Sequence, residues 1–276
     1  MAAKICLVTG ASSGIGHATA LELLRGGHIV YGGARREWKM AAIREAGGHP
    51  LPMDVTEEED LQRAVRTILD EHRRIDVLVN NAGTVVHGAV EDTPTTVARD
   101  HFEVNVLAPA RLVQLVLPGM RERRSGTIVN VSSIGGEIAL PLGAWYHASK
   151  HALEAFSDTL RMEVGPFGID VVIIQPGIIR TEFEAGTARQ LREISGNGAY
   201  RQIAEAMARV AETQARLGQD GPGSDPGVVA TTIRQAVESA RPDTRYAVGW
   251  QAEALLHLNR SLSDREFDAR VTGALA

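Results

Sequence analysis

Tyr146 and Lys150 stand four residues apart in the run Tyr146-His147-Ala148-Ser149-Lys150. On a helix, positions i and i+4 share one face, so a phenol and an ammonium can meet across one turn. A phenol of pKa near about 10 is a poor acid or base at neutral pH, and a fixed cation beside it favours the phenolate. On its own, Tyr-x-x-x-Lys is too common to carry a function. Near the N-terminus the apolar run Lys4-Ile5-Cys6-Leu7-Val8 ends in Thr9-Gly10-Ala11-Ser12-Ser13-Gly14-Ile15-Gly16, and a helical pattern follows. Strand, glycine-rich turn and helix come in the order that a nucleotide phosphate needs. Glycines let the backbone turn sharply and approach a ligand, and a helix N-terminus offers free N–H groups to a pyrophosphate. The spacing is Gly-x-x-x-Gly-x-Gly, distinct from the more general Gly-x-Gly-x-x-Gly fingerprint.

Three further apolar runs end in small or polar loops. They are Asp76-Val77-Leu78-Val79-Asn80-Asn81-Ala82-Gly83, Gly126-Thr127-Ile128-Val129-Asn130-Val131-Ser132-Ser133 and Asp170-Val171-Val172-Ile173-Ile174-Gln175-Pro176-Gly177. In open parallel sheets ligands collect at strand carboxyl ends, so these loops are expected to converge on one crevice. Asn105 interrupts an apolar helical run, where Asn is a weak helix former. Ser132 and Ser133 alternate across the strand, and Ser133 is preferred as the reactive hydroxyl. Neither serine lies in a Gly-x-Ser-x-Gly elbow, and no His or acid is marked out as its partner, which argues against a hydrolase.

With these residues in order, the chain resembles the classical short-chain dehydrogenase/reductase family. The motifs are Thr9-Gly10-x-x-x-Gly14-x-Gly16, Asn80-Asn81-Ala82-Gly83, Asn105, Ser133, Tyr146-x-x-x-Lys150 and Pro176-Gly177, spread over residues 5–181. The resemblance implies a nicotinamide cofactor and interconversion of a carbonyl and an alcohol. Tyr146 would be the proton donor, and the base in the reverse direction. Lys150 would support it and hold the nicotinamide ribose, Ser133 would bond the carbonyl oxygen, and Asn105 would join a proton relay toward Lys150. Cofactor contacts are implied for Gly10, Ser12, Ser13, Gly14, Ile15 and Gly16, for Asp54 and Val55 beside the adenine, and for Asn81, Ala82 and Gly83 behind the ribose. Pro176, Gly177, Ile179 and Thr181 complete that set. The tail beyond Tyr246 resembles the longer termini of the steroid- and retinol-dehydrogenase-like branch, so a hydrophobic ketone or aldehyde, or its alcohol, is expected. The alternatives are a 3-oxoacyl-carrier-protein reductase and, in another class, a non-catalytic NADP-binding sensor. The resemblance also implies a homodimer or homotetramer, with the helices starting near 95 and 145 as its faces.

Cofactor choice follows from charge. An NAD site wants an acid at the end of the second strand for the ribose 2′-OH. Val30-Tyr31-Gly32-Gly33-Ala34-Arg35-Arg36 has none, and offers two guanidiniums suited to a phosphate. NADP(H) is favoured over NAD(H), with Arg35 expected to carry most of the 2′-phosphate contact and Arg36 to assist.

Positioning these residues calls for alternating strands and helices, the pattern of an α/β, Rossmann-type doubly wound parallel sheet with helices on both faces. Strands are expected near 5–9, 28–33, 49–53, 76–80, 127–132, 170–175 and 245–248, and helices near 14–26, 37–46, 57–73, 95–121, 145–165, 200–217, 226–240 and 251–259. At 276 residues the chain suits one catalytic domain, 1–276, with a substrate-loop insertion over about 181–224 and a C-terminal extension over about 250–276. Ile203, Met207, Val210 and Leu217 recur at helical spacing in that insertion, either as the packing face of a surface helix or as a cover over an apolar substrate. The linker-like stretch beginning at Gly218 ends it. Gly135, Gly136, Glu137, Trp145 and residues 178–185 are expected to line the substrate side.

A formal net charge of −5 leaves no footprint for nucleic acid. The single cysteine, Cys6, cannot form an intrachain disulfide and reads as a buried hydrophobe. No metal-ligand cluster stands out, and no apolar run approaches the roughly 20 residues of a spanning helix. Met1-Ala2-Ala3-Lys4 leads straight into a strand, so no signal peptide and a cytoplasmic location are expected.

Overall fold

Fully buried strands read as unbroken apolar runs, and the computed structural model places strands at all seven expected positions, the two edge strands being only partly buried. The seven are β1 Ile5–Thr9, β2 Ile29–Ala34, β3 His49–Pro52, β4 Val77–Asn80, β5 Gly126–Val131, β6 Ile169–Pro176 and β7 Arg245–Val248. The structure describes residues 2–182, 186–217 and 222–274, and of 214–217 the backbone alone. All strand pairs are parallel, in the order β3-β2-β1-β4-β5-β6-β7. The chain runs outward from β1 to β3, then crosses back to β4. A crevice therefore opens between the carboxyl ends of β1 and β4, where ligands of such sheets bind.

The helices are α1 Gly14–Arg25, α2 Ala41–Glu45, α3 Glu58–His72, α4 Thr95–Phe102, α5 Ala108–Arg123, α6 Ala144–Val164, α7 Thr187–Ser195, α8 Arg201–Leu217, α9 Pro226–Glu238, α10 Ala252–Ser261 and α11 Asp264–Gly273. Alternate strand residues face opposite ways. Leu7, Leu78, Ile128 and Val171 pack with Leu61 of α3, Leu112 and Val116 of α5 and Leu160 of α6. Val8, Val79, Val129 and Val172 pack with Leu23 of α1, Ile43 of α2 and Ile233 of α9. Each such side chain contributes about 1.5–3 kcal/mol by leaving water, so the two layers outweigh any surface contact. Cys6 is fully buried in the second layer, and burial pushes its thiol pKa up.

The structure departs from the sequence reading in four places. The expected helix over 95–121 is split, because Glu103–Leu107 forms one π-turn with Asn105 at its centre. The expected helix over 37–46 opens as a 3₁₀ turn, Glu37–Met40. Helices α7 and α11 were not expected; both carry few apolar residues. On α8 the buried face is set by Ala204 and Ala208, with Ile203 and Met207 partly buried, while Val210 is exposed. Its partner is α7, and small residues allow the two to approach. Leu217's side chain and the stretch 218–221 lie outside the described residues.

Candidate active site

Thr9, the last residue of β1, ties the two halves of the crevice together. Its Oγ1 accepts from the backbone N–H groups of Asn81 (3.0 Å) and Ala82 (2.9 Å), and Asn81 Nδ2 donates back to Thr9 O at 2.9 Å. The glycine turn is pressed against this loop. Gly10 has φ +68°, and a Cβ there would meet Ala82 Cα at 2.9 Å; one at Gly16 would meet Asn81 Nδ2 at 2.3 Å. Any side chain at either place must displace the Asn81-Ala82-Gly83 loop. Ser13 precedes α1 without a side-chain hydrogen bond to its first turn, which leaves those N–H groups to the crevice.

A cleft of about 640 Å³ runs over these elements. Gly10, Ser12, Ser13, Gly14 and Ile15 line one end with Asp54, Val55, Asn81, Ala82 and Gly83. Gly16 lies behind that wall. Arg35 and Arg36 border the same end beyond Ala34. Arg35 stands 3.8 Å from Asp54 and is mostly exposed. Arg36 reaches the glycine turn, with Nη2 3.1 Å from Ser13 Oγ and 3.5 Å from Ser12 Oγ, and it faces Glu182 at 3.5 Å. Asp54 Oδ1 is taken up by the Thr56 N–H and hydroxyl at 3.0 and 2.8 Å. Pro176, Gly177, Ile179 and Thr181 come from the end of β6, and Thr181 packs over Gly14.

At the centre, α6 presents Tyr146 and Lys150 one turn apart, with Lys150 Nζ 5.9 Å from the phenol ring centroid. Lys150 is buried and donates to Val131 O at 3.0 Å. Burial pushes its pKa down to about 8, against the favourable charge of Glu154 one turn on. Ser133 lies two residues beyond β5 and caps the 3₁₀ turn Ile134–Gly136, its Oγ accepting from Gly135 N at 3.0 Å. Ser132 is buried and flanks Gly136 together with Glu154. Ser133, Tyr146 and Lys150 line the one cleft.

Asn105 lies behind it, buried. Its Oδ1 accepts from Thr84 N at 2.9 Å and its Nδ2 donates to Thr84 O at 3.1 Å, so the amide clasps the backbone leaving Gly83. Nδ2 is also 3.1 Å from both His101 Nε2 and Ser149 Oγ. Ser149 Oγ donates to Tyr146 O at 2.8 Å, and His101 Nδ1 lies 2.9 Å from Thr84 Oγ1. A neutral His101 suits this set, one ring nitrogen donating and the other accepting. Burial, then the charge of Lys150, push the His101 pKa down to about 4, in keeping with it. Gly83 separates this group from Lys150: a Cβ there would stand 3.4 Å from Asn105 Oδ1 and 3.9 Å from Lys150 Nζ.

The other end of the cleft is largely apolar, with Val85, Val104, Ile138, Leu140 and Met207. His147 staples it, its Nδ1 3.1 Å from Gly135 O and its Nε2 accepting from Leu140 N at 3.1 Å. Of the expected substrate-side residues, Gly135, Ile178, Ile179, Thr181 and Glu182 line the cleft. Gly136, Glu137, Trp145 and Arg180 do not, and residues 183–185 lie outside the described residues. Glu137 turns instead to the C-terminal extension, pairing with Arg260 at 2.6 Å and with Gln175 at 2.7 Å. Sequence reasoning missed His87, His101, His147, Ser149 and Thr84. Ser149 and His147 lie inside the Tyr146-to-Lys150 run, which is a positional signal; the others are joined only by the fold. Among the described residues there is no group of His, Cys, Asp or Glu that could hold a metal ion, and no helix is long and apolar enough to cross a membrane.

A family model described as short chain dehydrogenase matches residues 4–192. A 3-ketodihydrosphingosine reductase of Bacteroides thetaiotaomicron is 35% identical over 263 residues, 95% of this chain and 93% of the relative. Dehydrogenase/reductase SDR family member 7B of Xenopus laevis is 30% identical over 253 residues, 87% of this chain and 73% of the relative. The crystal structure of a short-chain dehydrogenase from Streptomyces avermitilis aligns with a TM-score of 0.78 at 38% identity, covering 94% of this chain and 93% of the other.

Proposed function

Because the chain belongs to the short-chain dehydrogenase family, whose enzymes act on CH–OH groups with NAD(P), we propose that it interconverts a hydrophobic ketone or aldehyde with its alcohol and prefers NADP(H). The observation that carries this reading is the Tyr146–Lys150 pair at the centre of a cleft whose one end is a glycine turn and whose other end is apolar. Similarity to a relative named as a ketone reductase supports the substrate class.

The crevice suits a dinucleotide. A Cβ at Gly10 or Gly16 would displace the Asn81-Ala82-Gly83 loop that walls it, and the first turn of α1 offers N–H groups to a pyrophosphate. Arg36, beside Ser12 and Ser13, and Arg35, beside Asp54, would border a ribose 2′-phosphate from two sides. Asp54 and Val55 would flank the adenine, Asn81 to Gly83 the ribose, and Pro176 to Thr181 the nicotinamide end. When bound, the nicotinamide gives or takes the hydride.

The chain's own groups manage the proton. Ser133 Oγ accepts from Gly135 N, so its own hydrogen is free to be donated to a carbonyl oxygen. Tyr146 gives its proton to that oxygen in reduction and takes it back in oxidation. Lys150, charged below about pH 8, stabilises the phenolate left behind. Asn105 holds Thr84 and bends its helix at the π-turn, and the Gly83 gap between it and Lys150 is where a proton relay would pass.

The test is a titration of NADPH and NADH joined to an absorbance screen of ketones. Arg35→Ala and Arg36→Ala are each expected to weaken NADPH about 10- to 100-fold with little effect on NADH, from lost charge-assisted hydrogen bonds. Ala34→Asp is expected to turn the preference toward NADH. Equal wild-type affinity for the two cofactors overturns the NADP(H) preference, and failure to turn over any ketone or thioester overturns the catalytic reading.

A further inference from the structure

Three histidines surround the reaction centre, His101 and His147 buried and His87 partly so, and they are not alike. His101 is bonded at both nitrogens to Thr84, Ser149 and Asn105, and His147 at both to Gly135 and Leu140. His87 lines the apolar end of the cleft, and neither its Nδ1 nor its Nε2 has a hydrogen-bond partner, although both are shut off from solvent. Buried polar groups in native proteins are almost always paired, and an exception calls for a partner that the fold itself does not supply. The first two histidines show that this neighbourhood can tie an imidazole down; the third is left untied where a substrate would lie.

The backbone that carries the ring is held in place. His87 N donates to Gln190 Oε1 at 2.9 Å, Gly88 N to Leu142 O at 2.7 Å and Ala89 N to Ser195 Oγ at 2.9 Å. Helix α7 and the 140–143 loop thus fix the backbone on both sides of it, which is the pre-organisation a recognition group requires. Burial pushes its pKa down to about 4, with His147 adding to the shift, so at neutral pH it is an uncharged ring with one donor and one acceptor. That pair matches a hydroxyl, which also both gives and accepts, better than an anion or a cation.

We propose that His87 selects for a hydroxyl on the substrate, placed along the chain from the reacting carbonyl. The claim rests on the reductase reading above and narrows its substrate class from any hydrophobic ketone to a hydroxyketone, or in the reverse direction to a diol. Ser133 and Tyr146 take the reacting oxygen; His87, on the loop after Gly83, takes the second one once a half-turn of its ring about Cβ–Cγ exchanges the shut-off nitrogens with its carbon edge. A substrate without the second oxygen leaves the imidazole unpaired, and sites built to bond a substrate hydroxyl discriminate against its absence.

The test compares dodecan-2-one with the same chain bearing a hydroxyl two, three, four or five carbons from the carbonyl. Turnover is followed by NADPH absorbance, and binding of each compound to the NADP⁺-saturated protein by calorimetry. Wild type is expected to favour at least one hydroxyketone over the parent by about 10- to 100-fold in kcat/KM and in Kd. His87→Leu should bring that ratio close to unity, and His87→Gln, which keeps a donor and an acceptor, should restore part of it. Melting temperatures of both variants show whether they are folded. A wild type that prefers none of the four hydroxyketones overturns the proposal, as does a folded His87→Leu that keeps the full ratio. Absence of turnover with every ketone overturns the reductase reading instead, and the calorimetric ratio still decides the role of His87.

Discussion

Tyr146→Phe keeps the ring and its packing and removes only the proton. If the proton is its contribution, turnover should fall by roughly 10²–10⁴ while NADPH affinity stays near the wild-type value. Residual activity within a few-fold of wild type would show that another group supplies it. Lys150 sets the pH range of the same step. Its folded pKa of about 8 lies below the ordinary lysine value because burial disfavours the ammonium. NADPH-linked reduction should therefore decline above about pH 8, and the residual rate of Lys150→Met should lack that limb. The same shift acts on stability. The unfolded chain binds the proton more tightly, so the contribution of Lys150 to stability is present above about pH 10, the unfolded pKa, and is lost as pH falls through about 8. Burying this cation is a cost borne below about pH 8, where the proposed mechanism needs its charge. Local motifs made Tyr146 and Lys150 legible, because both partners sit within five residues. The histidines were not, since His87, His101 and His147 are chemically identical in sequence and differ only in whether the fold supplies partners for their nitrogens.

The π-turn at Glu103–Leu107 is an element whose cause lies elsewhere in the chain. Asn105 is a weak helix former, and that much was legible; its partner, Thr84, lies 21 residues upstream, and periodicity does not reveal such a contact. Leucine would suit a regular helix but would strand the Thr84 N–H and C=O in a buried place. Asn105→Leu is therefore expected to lose about 2–6 kcal/mol, read as a lower melting temperature, from two unpaired groups at about 1–3 kcal/mol each. Unchanged melting would mean that the clasp is not formed. The C-terminal extension poses a similar question of which contact dominates. Helices α10 and α11 pack Ala252, Leu256 and Phe267 on Ile134 and Ile138, the segment that follows Ser133, and Arg260 pairs with Glu137 of that segment. Arg260 is mostly exposed, so its ion pair is worth at most about 1 kcal/mol, whereas truncating a buried Phe costs about 3–5. Phe267→Ala should thus destabilise the protein and lower turnover by loosening the Ser133 turn, while Arg260→Ala should do little of either. The reverse ranking would make the ion pair the latch. Helix α11 escaped the sequence reading because Phe267 is its one buried residue, too little for a stripe.

Across the whole molecule, parallel order places every loop of consequence at the same edge of the sheet. The crossing from β3 back to β4 opens the crevice, and the segments after β5 and β6 bring Ser133 and residues 177–182 beside it, with Tyr146 and Lys150 on α6. Buried parallel strands are nearly featureless apolar runs, so this architecture was readable throughout; the face that α8 buries was not, being chosen by α7. The outer side of the α5 and α6 layer remains. Met162 of α6 is 68% exposed and Leu107, where the π-turn meets α5, is 53% exposed, while the inner faces of both helices are filled by the core. Large apolar residues singly exposed are ordinary, but these two lie on the helices expected from the family resemblance to join subunits. A homodimer or homotetramer through this layer would give a light-scattering mass two or four times that of the chain. Closed two-fold symmetry makes the test sharp, since one introduced carboxylate appears twice across the axis. Met162→Glu changes an exposed helix position, where substitutions usually alter stability by no more than about 0.5 kcal/mol, so a change in mass would report assembly and not unfolding. The variant is expected to shift toward monomer, and Leu107→Glu likewise, with melting close to wild type. A wild type that is monomeric at micromolar concentration, or variants that keep the full assembly mass, would place the subunit contact elsewhere or remove it.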